Sequence, residues 1–336
     1  MENSVQQLIA TANYSRFRAD KKGFYESYFL RANHPEKPQA FWIRYTVFEP
    51  RDAAVPTIGE LWATWFDGET GRHVSVKTER PIFECRFDPG RFNVKVGDAL
   101  LNDRTAVGVA GAEDIIEWDL FYRGECEPLF LLPYKMYETG FPKAKALVGM
   151  PMTVFNGRLT VNGTIVNIND WIGSQNHNWG VRHTDSYAWG QVAGFDNNPD
   201  TFLELATAQL KFGPVKTPRM TLMVVRHKGR EYRLNSIIQS LKAFGRFDYF
   251  KWDFKSSAKE ISIQGTILAG QYDFVGLRYY NPPGGIKHCL NTKIAACRMT
   301  IENGRRNDRQ VLETKSRAAF EIFTDDPQSH GVPIFA

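Results

Sequence analysis

The stretch from Ile172 to Val192 gathers more titratable and aromatic side chains than any other part of the chain: His177, Trp179, His183, Asp185, Tyr187, Trp189 and Gln191 all lie within it. Its second half alternates. A two-residue period puts Tyr187, Trp189 and Gln191 on one face and Ala188, Gly190 and Val192 on the other. Two rings and an amide turned into a barrel would wall a cavity suited to an apolar ligand with one or two polar handles, while the small face lets a neighbouring element come close. An imidazole or carboxyl walled by tryptophan has its charged form disfavoured, which makes His177 and Asp185 the candidate catalytic groups, as proton donors to an alkene or carbonyl. The rings of Trp179, Tyr187 and Trp189 are then placed to steady developing positive charge. The competing reading is plainer: the tryptophans fill a core, Gln191 satisfies a backbone group, and the His and Asp serve turns.

A second face of this character lies near the N-terminus. Trp42, Arg44 and Thr46 alternate with Phe41, Ile43 and Tyr45, and the next strand offers Glu60, Trp62 and Thr64. An interior charge needs a counter-charge, so Arg44 with Glu60 is a candidate base for a binding surface flanked by Trp42 and Trp62. The alternative is a solvated strand face with the tryptophans as interdomain contacts.

Other chemistries lack their residues. His177 and His183 are six apart, with no HExxH or paired CxxC motif, so no metal site is expected. Cys289 and Cys297 share a strand face, but eight residues of strand span roughly 26 Å, too far for a common ligand. No GxGxxG, Walker or GxSxG motif occurs, and Ser256-Ser257-Ala258-Lys259 lacks the companions of a penicillin-binding serine. What remains is acid-base chemistry on a bound hydrophobic small molecule, with no cofactor.

The composition agrees. The 336 residues are 43% hydrophobic, 13% aromatic and 24% charged, enough for large cores. The net charge of +5 is spread along the chain, which makes nucleic acid an unexpected partner. The longest purely apolar runs, such as Leu129 to Leu132, are far shorter than the roughly 20 residues of a membrane span. The opening Met1-Glu2-Asn3-Ser4 shows neither the basic head nor the apolar stretch of a secretory signal, so a cytoplasmic location is expected. Cys85, Cys126, Cys289 and Cys297 are then reduced thiols, and Asn13-Tyr14-Ser15 and Asn162-Gly163-Thr164 are local turn or helix chemistry.

The elements that must position these residues are almost all strands. Val5, Leu8, Ile9 and Ala12 have helical spacing, predicting one N-terminal helix from Ser4 to Lys22. From Phe24 the period drops to two through six or more strands. A segment rich in Pro and Gly, from Pro128 to Met150, with a short helical pattern near Lys143 to Val148, marks the expected domain boundary. Two hairpin turns are expected at Asn156-Gly157 and Asn162-Gly163. Further strands run to Phe323. Successive antiparallel strands must close or hide their edges, so the expected architecture is all-β: a helix over 1–23 and two antiparallel β-barrels over 24–145 and 146–336, packed together.

Asn176-His177-Asn178-Trp179-Gly180, followed by Tyr187-Ala188-Trp189-Gly190-Gln191, resembles the signature of the lipocalin-like AttH and carotenoid 1,2-hydratase group, with tocopherol cyclases and fungal Diels-Alderases as more distant relatives. Tyr279-Tyr280-Asn281-Pro282 with His288 to Ala295 resembles the C-terminal part of that group, and Phe41 to Thr46 its first barrel. The resemblance implies two lipocalin-like barrels and a hydrophobic ligand between or within them. His177, Trp179, Trp189 and Gln191 match its signature. It spans hydration, cyclisation and members without known activity, so it implies a substrate character, a long isoprenoid or polyketide, and leaves open a carrier that only holds one.

Overall fold

Alternating side chains dictate two sheets, because each strand has an apolar face to bury and a second face of different character. The structure, a computed structural model, describes every residue except Met1, Lys21, Lys22, Gly213, Pro214, Arg306, Pro327, Gln328 and Ala336. In the first sheet, strands Val74–Pro81, Ile58–Asp67, Gln39–Glu49, Phe24–Asn33, Thr164–Gly180, Ala144–Val161, Ile115–Arg123, Thr105–Gly111, Ala99–Asn102, Asn93–Val96 and Cys85–Phe87 lie side by side, all antiparallel. It curls until the 74–81 strand at one end approaches the 105–111 strand, where the Gly111 amide donates to Thr78 Oγ1 at 2.9 Å.

The second sheet runs Arg230–Leu234, Met220–His227, Asn198–Gln209, Ser186–Phe195, Asp308–Thr324, Ile286–Asn303, Ile261–Leu268, Lys251–Ala258 and Phe244–Asp248, with Val275–Tyr280 also paired to the 286–303 strand. Each sheet wraps a filled interior. Tyr28, Leu30, Ile43, Tyr45, Trp118 and Phe155 are among those that fill the first. Leu203, Leu205, Trp252, Phe254 and Phe320 are among those that fill the second. A third apolar cluster joins the two units from their outer faces, Phe29, Trp42, Trp62 and Phe66 meeting Trp189, Leu277, Tyr279 and Phe323.

Four expectations are corrected. Residues 146–180 belong to the first sheet: the 144–161 and 164–180 strands form its long hairpin, pairing with the 115–123 and 24–33 strands, so the chain passes between units only after Gly180. The segment rich in Pro and Gly that suggested a boundary is a loop on this sheet, and Ala144 to Val148 is strand, not helix. Asn162-Gly163 makes the hairpin turn with positive φ at both residues, but Asn156-Gly157 sits inside a strand at a bulge. The helix spans only Glu2–Ala10, because the Ser15 hydroxyl and the Arg16 and Phe17 amides bond to the Glu26 carboxylate, which straightens the chain there; Lys21 and Lys22 of its expected end lie outside the described residues.

The fourth concerns direction. Ala188 and Val192 face the second unit's interior, while Tyr187, Trp189 and Gln191 face outward toward the first. The small face was needed inside: a Cβ on Gly190 would come within 2.6 Å of Ile267 and 2.9 Å of the Trp252 ring.

Candidate active site

Between the filled units lies a cavity of about 320 Å³. Its walls are the outward faces of strands from both: Tyr25, Phe29, Trp42 and Arg44 from the first unit, and Tyr187, Trp189, Glu204, Ala206, Tyr279 and Glu321 from the second. Leu131, Leu132, Met136, Phe141, Met220, Leu222 and Ile237 complete an apolar lining. The loop over part of this cavity belongs to the first sheet but is gripped by the second unit, with Asn235 Nδ2 donating to the Leu131 carbonyl at 2.9 Å and Arg233 Nη1 to Tyr134 Oη at 2.9 Å.

Glu204 is the group that the strand pattern aims at this space. It stands directly opposite Gln191 across neighbouring strands, so both project from one face. Its Oε1 accepts from Trp189 Nε1 at 2.8 Å and its Oε2 from Gln191 Nε2 at 2.9 Å. Burial pushes its carboxyl up to about 7, against those two hydrogen bonds and the charge of Arg31, which pull it down. Each oxygen uses one lone pair on a fixed donor, leaving the other able to carry a proton.

Gln191 is locked in a seam that crosses the units. Its Oε1 accepts from Arg31 Nε at 2.8 Å and Ser174 Oγ at 2.6 Å, and its Nε2 also donates to Asn176 Oδ1 at 2.8 Å. It orients Glu204 and does not line the cavity.

Trp189 also neighbours Glu321, which stands opposite it on the 308–324 strand and accepts from Lys293 Nζ at 2.8 Å. Burial lowers the Lys293 amine and the Glu321 charge pulls it back. The Lys293 ammonium lies 5.4 Å from the Trp189 ring and 5.9 Å from that of Trp42. Arg44 donates to Ser27 Oγ at 2.6 Å and lies 4.3 Å over the Tyr279 ring of the other unit. Burial opposes its charge, but Tyr279, Glu60 and Glu321 outweigh that and raise it. Its expected partner Glu60 stands opposite Thr46 and pairs with Lys77 at 2.8 Å.

Other expected site residues separate. Trp42, Arg44, Tyr187 and Trp189 come together on the cavity wall. Trp62 packs edge-on to Tyr279 in the interface, outside the lining. His177 borders the cavity, yet both ring nitrogens are engaged: Nδ1 with the Ala12 carbonyl at 2.7 Å and Nε2 with Glu26 Oε1 at 2.9 Å. Burial alone would raise the Glu26 carboxyl, but His177, Ser15 and the Arg16 amide hold it below its ordinary value. Trp179 packs against His177 and Tyr137, away from the cavity lining. Asp185 pairs with Arg182, accepts the Lys211 amide at 2.9 Å, and lies in a separate polar hollow.

His183 reaches the cavity with its ring 4.0 Å from Tyr25 and its Nε2 beside the Tyr280 carbonyl at 3.2 Å; burial pushes it down to about 3, so it stays neutral. Glu204, Glu321 and Lys293 were missed. Glu204 and Glu321 each have apolar neighbours on both sides, in Phe202-Leu203-Glu204-Leu205-Ala206 and Ala319-Phe320-Glu321-Ile322-Phe323, and that local isolation was the available signal; Lys293, in Asn291-Thr292-Lys293-Ile294, carries none. Among the described residues no group of three His, Cys, Asp or Glu is placed to hold a metal, and no helix is long and apolar enough to cross a membrane.

Two filled β units with a cavity between their facing sheets define the class of this fold. Among solved structures, two of similar fold are the following. One is a protein of Nitrosomonas europaea provisionally named AttH, 11% identical with a TM-score of 0.56, covering 91% of this chain and 94% of its own. The other is kievitone hydratase from Nectria haematococca, 11% identical with a TM-score of 0.53, covering 92% and 93%. At that identity the likeness is one of fold. No family model matches the chain, and no curated protein matches its sequence.

Proposed function

We propose that this chain is a cofactor-independent enzyme that adds water to an alkene of an apolar, isoprenoid- or polyketide-like molecule held between its two units, with Glu204 as proton donor. The observation that carries the reading is a buried carboxyl, raised to about 7 and fixed by Trp189 and Gln191, on the wall of an apolar cavity. The fold shared with a hydratase supports it.

In the proposed step the alkene π pair takes the Glu204 proton, leaving a carbocation on the other carbon. A water oxygen forms the new C–O bond and its surplus proton returns to Glu204, so the enzyme ends as it began. The faces of Trp189 and Tyr187 stabilise the cation, and the walls hold the substrate near its reactive geometry. Where water is excluded, the same protonation begins a cyclisation or isomerisation. The volume is near the lower end of the roughly 300–1,000 Å³ of small-molecule sites, which favours a compact or folded substrate over an extended polyene.

The test incubates the protein with kievitone and a panel of isoprenoid and polyketide alkenes, follows the mass gain of one water, and measures binding by calorimetry. Glu204→Gln is expected to bind but not convert. Binding without conversion by the unaltered protein would instead identify a carrier of hydrophobic molecules.

A further inference from the structure

The cavity wall carries two donors that the protein leaves unused. Trp42 Nε1 and Arg44 Nε are both buried and have no hydrogen-bond partner among the described residues. They stand two apart on one strand, and period two turns both side chains to the cavity face. Trp42 is 1% and Arg44 4% exposed, so bulk solvent does not reach them freely. A buried donor without an acceptor is destabilising. Water can serve such groups while the cavity is empty, and a ligand that displaces it must supply an acceptor.

The charges say which acceptor. Arg44 has no carboxylate within ion-pairing distance among the described residues, its closest polar partner being the neutral Ser27 hydroxyl. Lys145, also on the wall, donates to the Pro142 carbonyl. Of the two carboxyls on the wall, Glu321 is taken by Lys293 and Glu204 by neutral donors. Glu60 and Glu321 favour the Arg44 charge from a distance, but neither bonds its Nε, and a ligand anion there would add a direct charge-assisted hydrogen bond.

We infer that Trp42 Nε1 and Arg44 Nε form a receptor for an anionic oxygen, and that the ligand is an apolar molecule carrying one acidic group, a carboxylate or an enolate-type oxygen. This rests on the cavity being the ligand site, as proposed above, and not on the reaction. It also agrees with Glu204 as donor: a second negative charge in the same cavity favours its protonated form.

The experiment compares farnesoic acid, methyl farnesoate and farnesol, one isoprenoid skeleton with and without a negative charge, by calorimetry at neutral pH. The acid is expected to bind about tenfold or more tightly than the ester or alcohol, as a hydrogen bond to a charged group requires. Trp42→Phe removes the N–H together with the pyrrole part of the indole, so farnesol reports the loss of packing and the acid is expected to lose affinity by a larger factor than farnesol does. Arg44→Gln is expected to remove most of the acid's advantage, and circular dichroism checks both folds. Equal affinity for acid and alcohol, or an advantage untouched by Trp42→Phe, would overturn the receptor while leaving the cavity as a ligand site. Failure of all three compounds to bind would overturn the ligand reading beneath it.

Discussion

Two of the titratable centres beside tryptophan are built to opposite ends. At the first, His177 lies against Trp179 with both ring nitrogens bonded, and the Glu26 carboxylate also takes Ser15 and the Arg16 and Phe17 amides. The donors there favour the charged Glu26 carboxylate, and the pair pins the stretch after the N-terminal helix to the first sheet. At the second, Glu204 receives only two neutral donors, and burial wins. Nearness to an indole is common to both. What separates them is whether hydrogen bonds and charge outweigh desolvation.

The largest expected effect belongs to Glu204. Its replacement by Gln should lower turnover by about 10²–10⁴-fold, the range of a positioned general acid, with binding retained. Because an amide oxygen can accept from only one of Trp189 and Gln191, some stability is lost as well. His177→Leu should do the reverse: it removes one of the hydrogen-bond partners of the buried Glu26 carboxylate, at a cost of roughly 1–3 kcal/mol in urea unfolding. Its turnover per folded molecule should fall far less than that of Glu204→Gln, and an equal fall would erase the distinction between the centres.

The two carboxyls should also bend the stability curve in opposite directions. Glu204 is raised in the folded protein, so its contribution is whole below about pH 4.5 and is lost as pH rises through about 7, a change of about 3 kcal/mol. Glu26 is lowered, so its contribution is present above pH 4.5 and is lost as pH falls below it. Unfolding measured across pH should show both slopes in the native protein and only the acid one in Glu204→Gln. The smallest effect is expected at Asp185, where Asn removes a pair with the half-exposed Arg182; stability should change by about 1 kcal/mol or less, with turnover unaltered.

Periodicity made the strands legible, and with them the grouping of Tyr187, Trp189 and Gln191 on one face and of Trp42 and Arg44 on another. It could not say which face is inward. In a barrel of this kind both faces are buried, one in the unit's own interior and one against the neighbouring unit, so the bulky face of the 186–195 strand looked like a lining when it was an outer wall. The domain boundary was lost to the same limit. Prolines and glycines mark a turn wherever it falls, and only long-range pairing shows that the 164–180 strand returns to the 24–33 strand. Glu204 escaped notice because density of reactive residues drew attention to the 172–192 segment, whereas its chemistry comes from standing alone among apolar neighbours.

The loop gripped by Asn235 and Arg233 has a consequence for how the protein comes apart. It is threaded from one unit and fastened to the other, beside a space that neither unit fills by itself. Whatever lodges there touches both halves at once and so acts as mortar between them. A molecule lodged there should draw the unfolding of the two units closer together than the apolar cluster and the Arg31–Gln191 seam do alone, as calorimetry with and without it would show.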